Sequence, residues 1–383
     1  MVTRRAALAG MTATALAGSL SGSLGEMVAL ADPAPPDGGR NQRGSIVIGH
    51  RGASGYRPEH TLASYELAAR LGADFLEPDL VVTKDGVLVC RHEPDITGTT
   101  DVANHPEFAS RKTTKVLDGQ SIEGWFTEDF MLAELKTLRA VERLPDIRQH
   151  NTVFNGRYQI PTFQEMLELR ARLADELGRT LGVYPETKHP TYFQKAGLPL
   201  EPRLLDILQR NRLNEPDAPV FVQSFEVTNL KQLRQSGLRT KSVQLLAAFG
   251  TPFDTVAAGA LHPTYADLST PEGLRGIAGY AQGIGPDKIQ VIPREPDGTL
   301  GSPTTLVADA HRAGLLVHPY TFRAENTFLP VDYRTTAVPS DYGRAIDEQI
   351  TYLRTGLDGL FTDQADIGVL ARAEFRSTTP AGR

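Results

Sequence analysis

The sequence predicts an α/β fold, a TIM-type (β/α)8 barrel carrying an inserted capping segment. Three observations point there. Eight short apolar runs are spread between residues 45 and 362. Helical patterns separate most of them, and strands alternating with helices argue a parallel sheet, closed into a barrel when the repeats number eight. No glycine-rich phosphate loop follows any run, which weakens the nucleotide-binding form of the alternative, an open doubly wound sheet.

The elements follow in chain order. Ser45-Ile46-Val47-Ile48-Gly49 reads as a buried strand. Residues 61–71 read as a helix, with Leu62, Tyr65, Leu67 and Ala69 on an apolar face and Gly72 as its stop. A strand over residues 74–82 comes next, and Lys84-Asp85-Gly86 is a hairpin signal that sends residues 87–91 back beside it. Further strands are expected at 181–188, 219–224, 242–246, 280–285, 315–320 and 357–362. Helical patterns cover 162–177, 202–211, 227–236, 302–313 and 342–355. Residues from Thr97 to about Gln159 break the alternation; they are polar and mixed, with one helical pattern near 130–143, and read as an insertion capping the barrel mouth.

Composition bounds the rest. With 383 residues, 40% of them hydrophobic, the chain suffices for one large single-core domain or two ordinary ones. The formal charge of −6, with no long basic run beyond the first residues, argues against nucleic acid and anionic membrane as partners. A single cysteine excludes an intramolecular disulfide and a thiolate zinc site; Cys90, in the apolar run Val87-Leu88-Val89-Cys90, reads as a core thiol. At the N-terminus, Thr3-Arg4-Arg5 precedes a mildly apolar, Ala/Gly/Ser-rich stretch and a small-residue site at Ala29-Leu30-Ala31. This resembles a twin-arginine signal over residues 1–31, although Ala7 stands where a large apolar residue is usual, so a general secretory signal is the alternative. Either route exports the chain. Residues 32–44 then read as a flexible leader and 45–383 as the barrel domain.

The reactive residues concentrate between His50 and His92. Glu77 and Asp79 are two apart in a strand, so both side chains point to one face. Two carboxylates on one buried face repel and are costly to desolvate, and a divalent cation relieves both problems. The alternative is a salt-bridged or solvated edge pair. Counting outward from the hairpin turn brings His92 level with Glu77 and Asp79. His50 and Arg51 lie just past the end of the first strand, the end at which parallel barrels place their active sites. Two imidazoles beside a paired-carboxylate cation site suit phosphodiester cleavage. Glu186 and Lys188 repeat the two-residue spacing at another strand end. Glu186 can complete a three-carboxylate site for a hard cation, Ca²⁺ or Mg²⁺, and Lys188 can offset phosphate charge, unless the two simply pair with each other. Gln223, Tyr320 and Phe322 are weaker candidates for the pocket wall. Asp363, after Thr362, reads as a carboxylate that orients a neighbour or caps a helix.

The run His50-Arg51-Gly52-Ala53-Ser54-Gly55-Tyr56-Arg57-Pro58-Glu59-His60-Thr61 closely resembles the opening motif of the glycerophosphodiester phosphodiesterases. Glu77-Pro78-Asp79-Leu80, Thr83-Lys84-Asp85-Gly86 and His92 resemble their second motif, and Glu186-Thr187-Lys188 and Thr362-Asp363 are similar to later ones. The resemblance implies the PLC-like phosphodiesterase form of the TIM-type barrel. It implies that His50 and His92 are the acid/base pair, that Glu77, Asp79 and Glu186 hold the metal, and that Arg51 and Lys188 contact phosphate. Many members have Asn at the position of His60 and Asp at that of Glu93. His60 and the Tyr320-Thr321-Phe322-Arg323 run resemble the larger, exported branch, which implies calcium ahead of magnesium.

The implied reaction hydrolyses a small glycerophosphodiester to glycerol 3-phosphate and an alcohol, through a cyclic phosphate. No stable membrane insertion is expected once the signal is removed. Phospholipase C and D relatives share the two-histidine logic but must engage lipid, and the sequence shows no apolar surface loop or basic membrane patch. A non-catalytic binding barrel would have lost a histidine or carboxylate, and none is lost. A metallohydrolase for another phosphodiester is the third possibility.

Overall fold

A computed structural model of the protein describes residues 44–378. The expected signal (1–31) and all of the leader except Gly44 lie outside the described residues. The strands are β1 Ile46–His50, β2 Phe75–Glu77, β3 Asp79–Val82, β4 Leu88–Cys90, β5 Thr113–Leu117, β6 Gln120–Gly124, β7 Gly182–Val183, β8 Glu186–Thr187, β9 Phe221–Ser224, β10 Lys241–Leu246, β11 Gly283–Pro286, β12 Leu316–Val317 and β13 Gly359–Thr362. All neighbours pair in parallel except the β3–β4 and β5–β6 hairpins.

Two of the expected strands are each split by a proline. Residues 74–82 become β2 and β3 around Pro78, and residues 181–188 become β7 and β8 around Pro185. Proline has no N–H to give a ladder, so regular pairing lapses for a residue. The carbonyls still pair, since Pro78 accepts from Glu186 N at 2.9 Å and Pro185 from Gln223 N at 2.9 Å. The ladders therefore fall into two sheets, β13-β1-β2-β7 and β12-β11-β10-β9-β8-β3-β4. At the other junction, Asp358 N donates to Val317 O (3.1 Å) and Phe361 N to Pro319 O (3.1 Å). Eight parallel strand positions thus follow one another in sequence order, joined at the two sheet boundaries by a few isolated bonds rather than a continuous ladder.

The helices pack outside. Thr61 caps helix Leu62–Arg70 by accepting from Ser64 N, and Thr162 forms a capping box with Glu165 for helix Phe163–Glu176. Ala68, Met166, Leu173 and Leu204 bury against the outer sheet face in one large apolar cluster, each fully buried Leu or Met contributing roughly 2 kcal/mol. Inside the strands a second cluster holds Ile48, Tyr184, Phe221, Val243 and Phe361. Among the described residues no helix is long and apolar enough to cross a membrane.

Some expected elements shrink. The helical pattern near 130–143 yields only the turn Leu132–Leu135, because residues 139–141 are drawn into extended pairing: Asp101 N donates to Arg139 O (2.9 Å) and Val141 N to Thr99 O (3.0 Å). The rest of 97–159 is the β5–β6 hairpin, short 3₁₀ turns and loops. The strand expected at 315–320 keeps regular pairing only over Leu316–Val317. The structure also shows an exposed apolar stretch after β10 that the sequence reading missed, with Phe249 83% and Leu261 80% exposed.

Candidate active site

The strand ends carry the site. Register places His50 beside Glu77, Asp79 beside Glu186, and Glu186 beside Gln223. An oxygen from each of Glu77, Asp79 and Glu186 lies within 4.8 Å of the others. All three residues are buried. Burial and the neighbouring Asp79 charge push the Glu77 carboxyl well above its usual range. Burial pushes Glu186 up to about 8, against the pull of Lys188. Burial acts the same way on Asp79, but Lys188 and His60 outweigh it and hold that carboxyl well below its usual range. Glu77 takes bonds from the Arg51 amide (2.6 Å) and Gln223 Nε2 (3.2 Å). Asp79 Oδ2 bonds His60 Nε2 at 2.8 Å, whereas its buried Oδ1 has no hydrogen-bond partner. Three buried carboxylates, one oxygen orphaned and two groups held above their normal pKa, fit a hard divalent cation.

Two histidines flank this cluster. His50 ends β1, and its Nδ1 meets Asp363 Oδ1 at 2.6 Å; Asp363 follows β13, the neighbouring strand. His92 follows β4, and its Nδ1 meets Glu93 Oε1 at 2.6 Å. With Nδ1 engaged in both rings, Nε2 remains to face the cavity that both residues line. Burial, then the Arg51 charge, lowers His50 to about 4; burial, then Arg51 and Lys188, lowers His92 to about 3. Bound phosphodiester anion would offset those cations and favour an imidazolium.

Arg51 and Lys188 supply the positive charge. Arg51 sits in the left-handed region, at φ 58°, and the next residue, Gly52, has φ 88°. A Cβ on Gly52 would lie 2.6 Å from the Ser64 carbonyl carbon, so the tight turn that aims Arg51 inward requires glycine. Arg51 Nη1 bonds Glu59 at 2.9 Å. Lys188 Nζ is 2.7 Å from Glu186 and 3.6 Å from Asp79. The lysine and glutamate are therefore paired, as the plainer reading of that motif expected, while both still line the cavity.

The cavity has a volume of about 260 Å³. Gln223 and Tyr320 line it, as expected of them; Phe322 does not. Regular pairing ends at Val317, so the two-residue alternation is lost, and the Phe322 ring packs at 4.9 Å against Tyr352 in the outer core. Sequence reasoning missed Phe225, Asp287 and Arg323, which also line the cavity. It also missed the groups behind the histidines' partners: Arg143 on Glu93, and Arg148 and Arg323 on Asp363. Arg323 stood in the family-like run, but nothing in the polar insertion marked Arg143 or Arg148. Cys90 is buried, and burial raises its thiol to about 12, as befits a core residue.

Residues 50–367 match the glycerophosphoryl diester phosphodiesterase family. A glycerophosphodiester phosphodiesterase of Arabidopsis thaliana is 36% identical over 328 residues, covering 82% of this chain and 82% of the plant protein. One from Haemophilus influenzae is 31% identical over 343 residues, 85% of this chain and 88% of that protein. Among solved structures, one from Silicibacter pomeroyi matches with a TM-score of 0.60 at 20% identity, over 88% of this chain and 96% of that one. A phosphodiesterase of Oleispira antarctica, solved with the product sn-glycerol-3-phosphate, matches with a TM-score of 0.55 at 19% identity, over 86% and 97% of the two chains. The structural matches establish the fold, a TIM-type barrel.

Proposed function

The chain belongs to the glycerophosphoryl diester phosphodiesterase family, and we propose that it hydrolyses small glycerophosphodiesters to glycerol 3-phosphate and an alcohol by two-histidine acid/base catalysis. One observation carries the reading: three buried carboxylates cluster together, and two of them, Glu77 and Glu186, line the same cavity as two histidines, each held through Nδ1 by a carboxylate.

In the first step the glycerol 2-hydroxyl attacks phosphorus. One histidine takes the hydroxyl proton at Nε2, and the other gives a proton to the departing alcohol oxygen. The new O–P bond closes a cyclic phosphate as the bond to the alcohol breaks. An internal nucleophile has the advantage of proximity. Water then opens the ring with the histidine roles reversed, which returns both to their starting states. Arg51 and Lys188 offset charge on the phosphoryl oxygens. Glu77, Asp79 and Glu186 would hold a divalent cation, calcium ahead of magnesium, which when bound supplies Lewis-acid polarisation of the phosphate and its nucleophile.

Export belongs to the same proposal and rests on Arg4-Arg5 and the small-residue site at 29–31. A reporter placed behind residues 1–44 that stayed in the cytoplasm would refute it. The chemistry is tested by comparing glycerophosphocholine, other glycerophosphodiesters and intact phospholipid as substrates, with and without Ca²⁺ or Mg²⁺. The exposed Phe249 and Leu261 make the phospholipid arm necessary. Turnover confined to phospholipid would overturn the proposal. ³¹P NMR during turnover of glycerophosphocholine should show the cyclic phosphate before glycerol 3-phosphate; turnover of an analogue lacking the glycerol 2-hydroxyl would instead mean direct attack by water.

A further inference from the structure

One loop of the inserted segment carries both Arg143 and Arg148. Neither is among the residues lining the cavity. Each is bonded to the carboxylate that holds one of the two histidines. Arg143 grips Glu93 through Nη1 (2.9 Å) and Nη2 (2.7 Å), and Glu59 through Nε (2.8 Å) and Nη2 (2.7 Å). Arg148 is buried; its Nη2 donates to Asp363 Oδ2 (2.6 Å) and its Nε to Glu325 Oε1 (2.6 Å). The chains of contact are thus Arg143–Glu93–His92 and Arg148–Asp363–His50.

The loop is itself fixed. Glu142 accepts from Leu144 N at 2.9 Å and from Asn151 Nδ2 at 3.0 Å. Arg148 Nη1 reaches Ser54 O at 3.0 Å, and Ser54 Oγ returns to His50 O at 2.8 Å.

A carboxylate on Nδ1–H sets the imidazole's tautomer and aims Nε2, provided the carboxylate cannot swing away. A guanidinium fork bonded to its oxygens prevents that swing. From this geometry we infer that Arg143 and Arg148 are positioning residues for catalysis, so that one loop of the insertion aims both histidines from behind. The inference rests on the acid/base roles proposed above. The two arginines are not equivalent. Arg323 Nε also holds Asp363 Oδ2, at 2.8 Å, so Asp363 keeps one guanidinium when Arg148 is lost. Arg143 is the guanidinium bonded to Glu93 and has no such support among the described residues.

The test uses the full chain, the variants Arg143→Gln, Arg148→Gln, Arg143→Lys and Arg148→Lys, and two substrates. Glycerophosphocholine has an alkyl leaving group that needs a proton; the p-nitrophenyl ester of glycerol phosphate does not. On glycerophosphocholine, kcat is expected to fall roughly 10–100-fold in the glutamine variants, more for Arg143, with KM within about threefold. On the aryl substrate one arginine's loss should largely vanish and the other's persist, which separates the acid from the base. Lysine keeps the charge but not the fork, so a folded lysine variant should show the same substrate pattern at smaller amplitude. Should a glutamine variant fail to fold, the lysine variant decides. Unchanged kcat, an effect on KM alone, or equal losses on both substrates for both arginines would overturn the inference. His50→Ala and His92→Ala run in parallel. If they stay active, the acid/base reading falls; if they are dead while the arginine variants match the wild type, only this inference falls.

Discussion

Two layers of the barrel stand two residues apart on the same strands. Ile48, Phe75, Tyr184, Phe221 and Phe361 form an apolar layer, and two positions further along lie His50, Glu77, Glu186, Gln223 and Asp363. Side chains two apart in a strand share a face, so one alternation serves both packing and chemistry. His318 belongs to the first layer and makes the difference instructive. It is more buried than either mouth histidine, and burial lowers it to about 4, the value reached by His50. Its Nδ1, however, meets the Tyr184 hydroxyl at 2.8 Å, and its ring stands edge-on to Tyr184 and Phe221. A buried histidine with a depressed pKa is therefore no mark of catalysis by itself. The carboxylate on Nδ1 and the cavity beside the ring distinguish His50 and His92.

The sharpest break between the layers is kinetic. Replacing His50 or His92 with alanine should cut kcat for glycerophosphocholine by roughly 10²–10⁴, while folded His318→Gln stays within about threefold of wild type in the same assay. A folded but inactive His318→Gln would erase the distinction. The apolar layer should answer in stability instead: Phe221→Ala is expected to cost roughly 3–5 kcal/mol in urea unfolding.

Protonation separates the layers next. The folded His318 pKa lies below its free value of 6.5, so folding favours the neutral ring. Its contribution is complete above about pH 6.5 and is lost as pH falls toward 4, on the order of 3 kcal/mol in all. Unfolding free energies at pH 7 and 4.5 should therefore converge between wild type and His318→Gln at the lower pH; parallel curves would contradict this. The smallest effect belongs to Tyr184→Phe, which leaves His318 Nδ1 without its hydroxyl at about 1–2 kcal/mol of stability. Loss of activity there, at unchanged stability, would place Tyr184 in the chemistry.

Local periodicity explains what the sequence revealed. Alternation put Glu77 and Asp79 on one face, and Pro78 left that intact because its carbonyl still pairs with Glu186 N. The hairpin count is met by the register Leu80–Cys90, which sets Arg91 opposite Asp79 and His92 one step beyond. Where regular structure stops, the reading stops too. Phe322 was expected in the pocket by extending a strand that ends at Val317. The bond from Arg148 to Asp363 spans 215 positions and starts from a loop without periodicity, so no local pattern could announce it. The same holds for Arg143 and Glu59, 84 apart.

The central claim is that Glu77, Asp79 and Glu186 hold a cation needed for glycerophosphodiester cleavage. The most direct measurement is release of glycerol 3-phosphate from glycerophosphocholine by the full chain after exhaustive chelation, then with Ca²⁺ or Mg²⁺ restored, beside Asp79→Asn. The account predicts no release from the chelated enzyme, recovery with Ca²⁺ exceeding that with Mg²⁺, and no recovery in Asp79→Asn at the same Ca²⁺ concentration. Undiminished release from the metal-free protein would contradict it.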